Sequence, residues 1–230
     1  MDEWWTYRLS DFLLFSPHTY YRLFELYNID VWPLQILALS LGIAVIVLIK
    51  RQPIWHGRVV TAILAACWLW VAWAYHLQRY SSINWAAHYY AMGFAAQAVL
   101  LIWVGVIRGG LAFQTQSPLI RCVGFGLYSF ALFIQPLMAP LMGRKWLQAE
   151  IFGIAPDPTA IATLGILLLV TNKTRWWLFI IPILWCMISS ATLWTMKSPQ
   201  ALVMVLGALI VIIAMVWKRF WMTKHTVKVE

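Results

Sequence analysis

From residue 31 onward the chain alternates long apolar runs with short polar breaks. The runs are too long and too continuous for period-two strands. Their length fits helices crossing a bilayer, where every backbone polar group must be satisfied within its own segment. Seven such helices are predicted, at residues 31–49, 59–77, 84–107, 118–142, 158–171, 176–196 and 200–217. Ahead of them, Ser16-Pro17 reads as an N-cap followed by the first helical position. Over residues 17–27, Tyr20, Leu23, Phe24 and Tyr27 share one helical face, and His18, Arg22 and Glu25 share the other. That spacing predicts a short amphipathic helix lying on the membrane surface. The aromatic stretch before it, with Trp4, Trp5 and Tyr7, belongs to the same face of the membrane.

The fifth run departs from the others. Residues 158–171 follow a Gly/Pro-broken polar loop, and the apolar part from Pro158 to Val170 makes about 20 Å of helix against about 30 Å of hydrocarbon. Either the preceding loop dips into the membrane, or the helix continues past Thr171. In the first case a helix N-terminus with free N–H groups lies below the membrane surface, a place suited to an anion or polar ligand. Asp157 before Pro158 reads as the N-cap, its carboxylate accepting from the backbone N–H of Thr159 or Ala160. Residues 153–159 are expected to lie against the outer ends of the second and third helices, shielded from lipid. In the fourth run, Gln135-Pro136 and Pro140 predict a kink near the far end.

Composition supports the helical membrane class. Hydrophobic residues make up 63% of the 230-residue chain and charged ones 11%, more apolar surface than a soluble domain of this size can bury. Sixteen Trp and nine Tyr suit the two interfacial belts. Cys67, Cys122 and Cys186 each lie in an apolar run with no paired spacing, and read as free thiols. The start, Met1-Asp2-Glu3, is acidic where a cleavable signal would be basic. The net charge of +9 reports topology, with no implication of a nucleic-acid partner. With seven crossings, eleven of the seventeen Lys and Arg fall on the side of the C-terminus. The expected orientation is therefore N-terminus outside and C-terminus cytoplasmic.

On that topology a set of polar residues gathers at the outer ends. Tyr75-His76 closes the second helix, Asn84 and His88 open the third four residues apart, and Glu150, Asp157 and Thr159 precede or open the fifth. His76, Asn84, His88, Glu150, Asp157 and Thr159 are the candidate binding residues. His76, His88 and Asp157 are donors of the kind that hold zinc, copper or nickel, but nothing in their spacing is diagnostic, and histidines bonded to loop carbonyls are the alternative. No cofactor follows from the sequence. Catalytic signatures are missing: there is no Gly-x-Ser-x-Gly, phosphate-binding loop or dinucleotide fingerprint. Deeper polar residues, Gln35, Gln97, Gln135, Thr163, Ser189, Ser190 and Thr192, either bond between helices or line a path. No Asp, Glu, Lys or Arg is expected near a helix centre, which argues against a proton-driven pump.

Three stretches carry a family likeness: Phe15-Ser-Pro-His-Thr-Tyr-Tyr-Arg-Leu-Phe-Glu-Leu-Tyr-Asn28 with Trp32-Pro33, Tyr75-His76 with Ile83-Asn84-Trp85-Ala86-Ala87, and Phe152-Gly-Ile-Ala-Pro-Asp-Pro-Thr159 with residues 163–169. In these the chain resembles a bacterial inner-membrane family known as domain of unknown function 6064, whose members often carry a permease label. The resemblance implies one polytopic membrane domain over residues 1–230, with an outer segment to residue 30, a bundle over 31–217 and a basic tail from 218. It brings no activity. Small-solute transport or binding through an outer polar pocket is the first functional expectation. A non-catalytic subunit or assembly factor packed against other membrane subunits is the second, and an enzyme acting on lipid or quinone the third.

Overall fold

The computed structural model describes residues 15–114, 117–171 and 175–226, with side chains as far as Phe220. The aromatic stretch over residues 1–14 and residues 172–174 lie outside the described residues. Among the described residues the regular structure is all helical, with nine α-helices joined by turns and loops: α1 (Pro17–Asp30), α2 (Leu34–Arg51), α3 (His56–Trp70), α4 (Ala87–Leu101), α5 (Pro118–Ser129), α6 (Met138–Leu141), α7 (Pro156–Leu168), α8 (Ile180–Thr195) and α9 (Gln200–Thr226).

Six stretches are long and apolar enough to cross a membrane: Leu34–Arg51, His56–Ser82, Ala87–Ile107, Pro118–Leu141, Trp176–Thr195 and Gln200–Phe220. Three of them widen into π-type turns, at Val71–Leu77, Ile102–Ile107 and Phe130–Ile134. The last lies just before Pro136, which has no N–H for the helical ladder, so the regular α-helix is interrupted at Gln135-Pro136, where the kink was expected.

The seventh expected helix is of a different kind. α7 has 13 residues, and every one of them is buried. A helix apolar on all sides gains by entering the protein core, and α7 is surrounded by α3, α5, α8 and α9. Its approach to α5 is backbone to backbone. A Cβ on Gly124 would lie 2.8 Å from the Gly165 carbonyl oxygen, and one on Gly165 would lie 2.6 Å from that of Gly124. Small residues let helix backbones meet in this way where no hydrophobic force draws helices together.

α7 ends at Leu168 instead of running past Thr171, so the loop before it supplies the missing depth. That loop is covered by protein, as irregular backbone at membrane depth must be. Tyr27 donates its hydroxyl to the Ile154 carbonyl at 3.3 Å, and Asn28 donates its amide to the carbonyls of Leu147 and Ala149 at 2.8 and 2.9 Å. Gly153 turns with φ +77°, where a Cβ would meet the Cys67 sulfur at 2.9 Å. The loop therefore packs on the last turn of α3, near the middle of the stretch His56–Ser82 and deeper than the outer helix ends where it was expected.

The connecting segments gather at two ends of the bundle. At one, called the upper end, α1 packs on the turn Trp146–Gln148, and Arg79 pairs with Asp30 at 2.7 Å. At the lower end, Gln114 donates to Gln52 at 2.5 Å, and the Thr171 N–H donates to the Ala112 carbonyl at 2.7 Å. Helix α1 starts as predicted, with the Ser16 hydroxyl accepting from the Thr19 N–H. Tyr20, Leu23, Phe24 and Tyr27 are all buried. One residue of its polar face departs from the expectation. Glu25 is buried, because Lys145 and Gln148 of the following turn reach it at 3.1 Å, alongside Arg22 at 2.8 Å. The Lys145 hydrogen bond, more than any other contact, holds its carboxyl below the usual carboxylate range.

Candidate functional site

The first turn of α7 is where buried charge concentrates. Its start is set by two prolines. Ala155 is the N-cap, extended at φ −98° and ψ 148°, and Pro156 and Pro158 occupy the first and third helical positions. Each supplies the fixed φ of a helix and lacks an N–H. Two of the four donors that a helix start leaves free are therefore missing, which removes much of the anion-binding capacity expected there.

The shift of the helix start by two residues changes the role of Asp157. It makes no side-chain cap; the expectation of a bond to Thr159 or Ala160 is not met. Its carboxylate turns to α8 and accepts from the Trp185 indole N–H at 2.8 Å and the Ser189 hydroxyl at 2.7 Å. The positive end of the helix dipole lies beneath it. Thr159 takes a structural part: its hydroxyl accepts from the Gly153 N–H at 2.9 Å and donates to the Ala155 carbonyl at 2.7 Å. One turn on, Thr163 accepts from Trp68 of α3 at 2.8 Å.

Asp157 also faces a closed gap bounded by Gln135, Met138, Glu150, Gln200, Val203 and Met204, with no space for a water-sized sphere. Glu150, Gln135 and Gln200 are 2%, 3% and 4% exposed. One Oε1 atom of each is buried without a hydrogen-bond partner. Three of the residues that wall the gap thus carry a buried oxygen without a partner, beside the Asp157 carboxylate. Burial raises the Glu150 carboxyl well above the usual carboxylate range, the neighbouring Asp157 charge raises it further, and Arg144 opposes both. Arg144 lies over the Tyr21 ring at 4.1 Å, and two of its guanidinium nitrogens have no hydrogen-bond partner. It also lines an open basic hollow of about 480 Å³ at the upper end, together with His18, Arg22, Glu25, Lys145 and Gln148.

The six residues singled out from the sequence divide. Glu150 and Asp157 meet at the gap. His76 is joined to them through Trp185, whose ring centroid is 5.0 Å from that of the imidazole. His76 is fully buried, not at the surface as expected, and stands among Tyr75, Tyr80, Tyr90 and Phe94 with neither nitrogen hydrogen-bonded. The π-type turn at Val71–Leu77 explains this: it rotates the helix so that Ala74, Tyr75 and His76 are buried in succession. Asn84 caps its own turn, accepting from the Ala86 N–H at 3.0 Å. His88 is exposed beside the Trp85 carbonyl, apart from His76. Among the described residues no group of three or more His, Cys, Asp or Glu is arranged to hold a metal.

Of the deeper polar residues, Gln35, Gln97 and Ser190 bond to the carbonyls of Asn28, Leu178 and Ala201. Gln135 and Ser189 belong to the cluster around Asp157. Gln200 and Trp185 were not legible as part of it, since an N-terminal Gln and an interfacial-type Trp carry no signal of their own. Among the described residues no Asp, Glu, Lys or Arg stands near the centre of a spanning helix, but charge is buried at helix ends and in the loop before α7. Glu150 and Asp157 are buried at the upper half, and Lys218 is 2% exposed at the lower end.

No curated protein and no solved structure matches the chain. A family model matches residues 18–226, nearly the whole of the described bundle together with its buried carboxyl pair. The chain belongs to that family, the family of unknown function DUF6064.

Proposed function

We propose that the protein binds and moves a small solute across the bacterial inner membrane, using the Glu150–Asp157 centre to hold a small cation, Na⁺ or a proton. One observation carries this reading: Glu150, Gln135 and Gln200 line one buried gap with Asp157, and an oxygen of each of the three has no hydrogen-bond partner. Buried acceptors left without a donor cost about 1–3 kcal/mol each. A proton on Glu150 satisfies part of that deficit, and a hard cation satisfies more of it. Ionisable groups at membrane depth face such paths more often than they serve packing. The hollow at the upper end supplies an approach, with Arg144 in its wall. The lower end gathers most of the Lys and Arg and is proposed as cytoplasmic, with the C-terminus inside and residues 17–30 outside.

The test uses the purified protein in lipid nanodiscs. Its unfolding temperature is followed as NaCl replaces choline chloride at constant ionic strength, at pH 6 and pH 8. Stabilisation by Na⁺ at pH 8 that Asp157→Asn abolishes supports cation binding. An unfolding temperature indifferent to both Na⁺ and pH contradicts it and favours a passive membrane subunit.

A further inference from the structure

The widest hollow among those described lies at the other end of the molecule, between α2 and α5. The two helices touch at mid-height. Tyr128 donates its hydroxyl to the Gly42 carbonyl at 2.9 Å, and a Cβ on Gly42 would meet the Leu132 side chain at 2.5 Å. Below that contact they part, leaving a wedge of about 860 Å³. Its α5 wall is Pro118, Arg121, Cys122, Phe125, Gly126 and Ser129. That spacing is a single helical stripe, the face that would meet α2 had the helices stayed together. Leu169 and Phe113 form the floor, and the Gln52–Gln114 hydrogen bond closes the lower edge. At Gly126 an added Cβ would meet nothing within 4 Å, so the wedge is open there.

The chemistry of the wedge is graded. At its lower rim stand Lys50 and Arg121, both exposed and, among the described residues, without an ion pair. Toward mid-height the wall becomes apolar. This rim belongs to the end that also carries Arg51, Arg58, Arg108 and Arg175. Basic pockets between membrane helices at the basic end of a protein suit anionic lipid headgroups. A partner helix would need the whole stripe to be apolar, and two cations at its foot oppose that.

We propose that this wedge is a site for an anionic phospholipid, its phosphate between Lys50 and Arg121 and one acyl chain along Cys122, Phe125 and Gly126. The site is independent of the carboxyl pair around Asp157. Occupancy fills the space left by the splayed helices and ties α2 to α5 at the lower end.

Native mass spectrometry of the full chain, released from mixed detergent micelles, tests the proposal with dioleoyl phosphatidylglycerol and dioleoyl phosphatidylcholine. The intact protein should prefer phosphatidylglycerol by about thirtyfold, from two cations near the surface. The double variant Lys50→Gln, Arg121→Gln should bring the two lipids to near parity. Gly126→Phe should lower occupancy by both lipids while the unfolding temperature holds, since its ring enters open space. Equal binding of the two lipids by the intact protein overturns the proposal, as does an unchanged preference in the double variant. Displacement of the lipid by glycerol phosphate alone would assign the rim to free phosphate, and cross-linking from Cys122 to another polypeptide would assign the wedge to a protein partner; either result also overturns it.

Discussion

The two ends of α7 hold buried charge in opposite ways. At the C-terminal end Lys218 of α9 donates to the carbonyls of Leu168 and Val170, the first at 2.9 Å. Leu168 is the last residue of α7, whose carbonyl a helix leaves free at its negative pole, and Val170 follows the cap. The cation has the acceptors it needs, and they have their donor. At the N-terminal end Asp157 has two donors, but Glu150, Gln135 and Gln200 present oxygens with none. The first arrangement fixes a helix within a bundle. The second leaves buried oxygens without partners. A buried charge in a membrane protein is therefore no single signal: its meaning depends on whether the surrounding groups are satisfied.

This contrast can be broken most strongly at the satisfied end. Lys218→Met removes the donor to two buried carbonyls, and should lower unfolding stability by about 2–4 kcal/mol. Chemical unfolding in mixed micelles measures it, and Na⁺ dependence should survive in whatever fraction stays folded. Gly165→Ala comes next. It forces the α5 and α7 backbones apart at the Gly124 carbonyl, at a cost of about 1–3 kcal/mol by the same measurement.

At the unsatisfied end the effects on stability should be smaller and those on function larger. Asp157→Asn keeps the shape and loses the charge that Trp185 and Ser189 address, costing about 1–2 kcal/mol. It should abolish the response to Na⁺ in nanodiscs. His76→Gln, its matched control one aromatic ring away, should leave that response in place. The effect of Glu150→Gln depends on pH and is read in the pH profile. The folded chain keeps a proton on Glu150 that the unfolded chain has already released above the ordinary value of 4.5. Stability should therefore fall as pH rises from that value through the raised one, and be flat below it. Glu150→Gln should remove this slope, as thermal unfolding across pH would show.

Much of the architecture was legible in the hydrophobic pattern, because lipid leaves a chain few options other than helices. The stretch around Asp157 was recognisable as unusual from length alone: 13 apolar residues cannot cross by themselves. What the pattern could not give was the depth of the loop before it, which depends on Tyr27, Asn28 and Cys67 from other helices. Nor could it place Asp157. With Pro156 and Pro158 two apart, either could begin the helix, and that choice turns the carboxylate from a backbone cap into a partner of α8. His76 was misplaced for a different reason. A π-type turn adds a residue to the helical repeat without marking the sequence, so a face counted at 3.6 residues per turn is wrong beyond it. Glu25 was read by its neighbours on α1, and its burial comes from Lys145 and Gln148 more than a hundred residues later.

The claim that the upper end of α7 awaits a cation is tested most directly by infrared difference spectroscopy on the carboxyl groups. In nanodiscs at neutral pH without Na⁺, a protonated carboxylic-acid band belonging to Glu150 should be present, and Glu150→Gln should lack it. Addition of NaCl, with choline chloride as the control, should convert that band to the ionised form and release a proton to the medium. A band that persists at saturating Na⁺ but titrates with pH would narrow the ligand to the proton. No protonated carboxyl band in the intact protein at neutral pH would contradict the account.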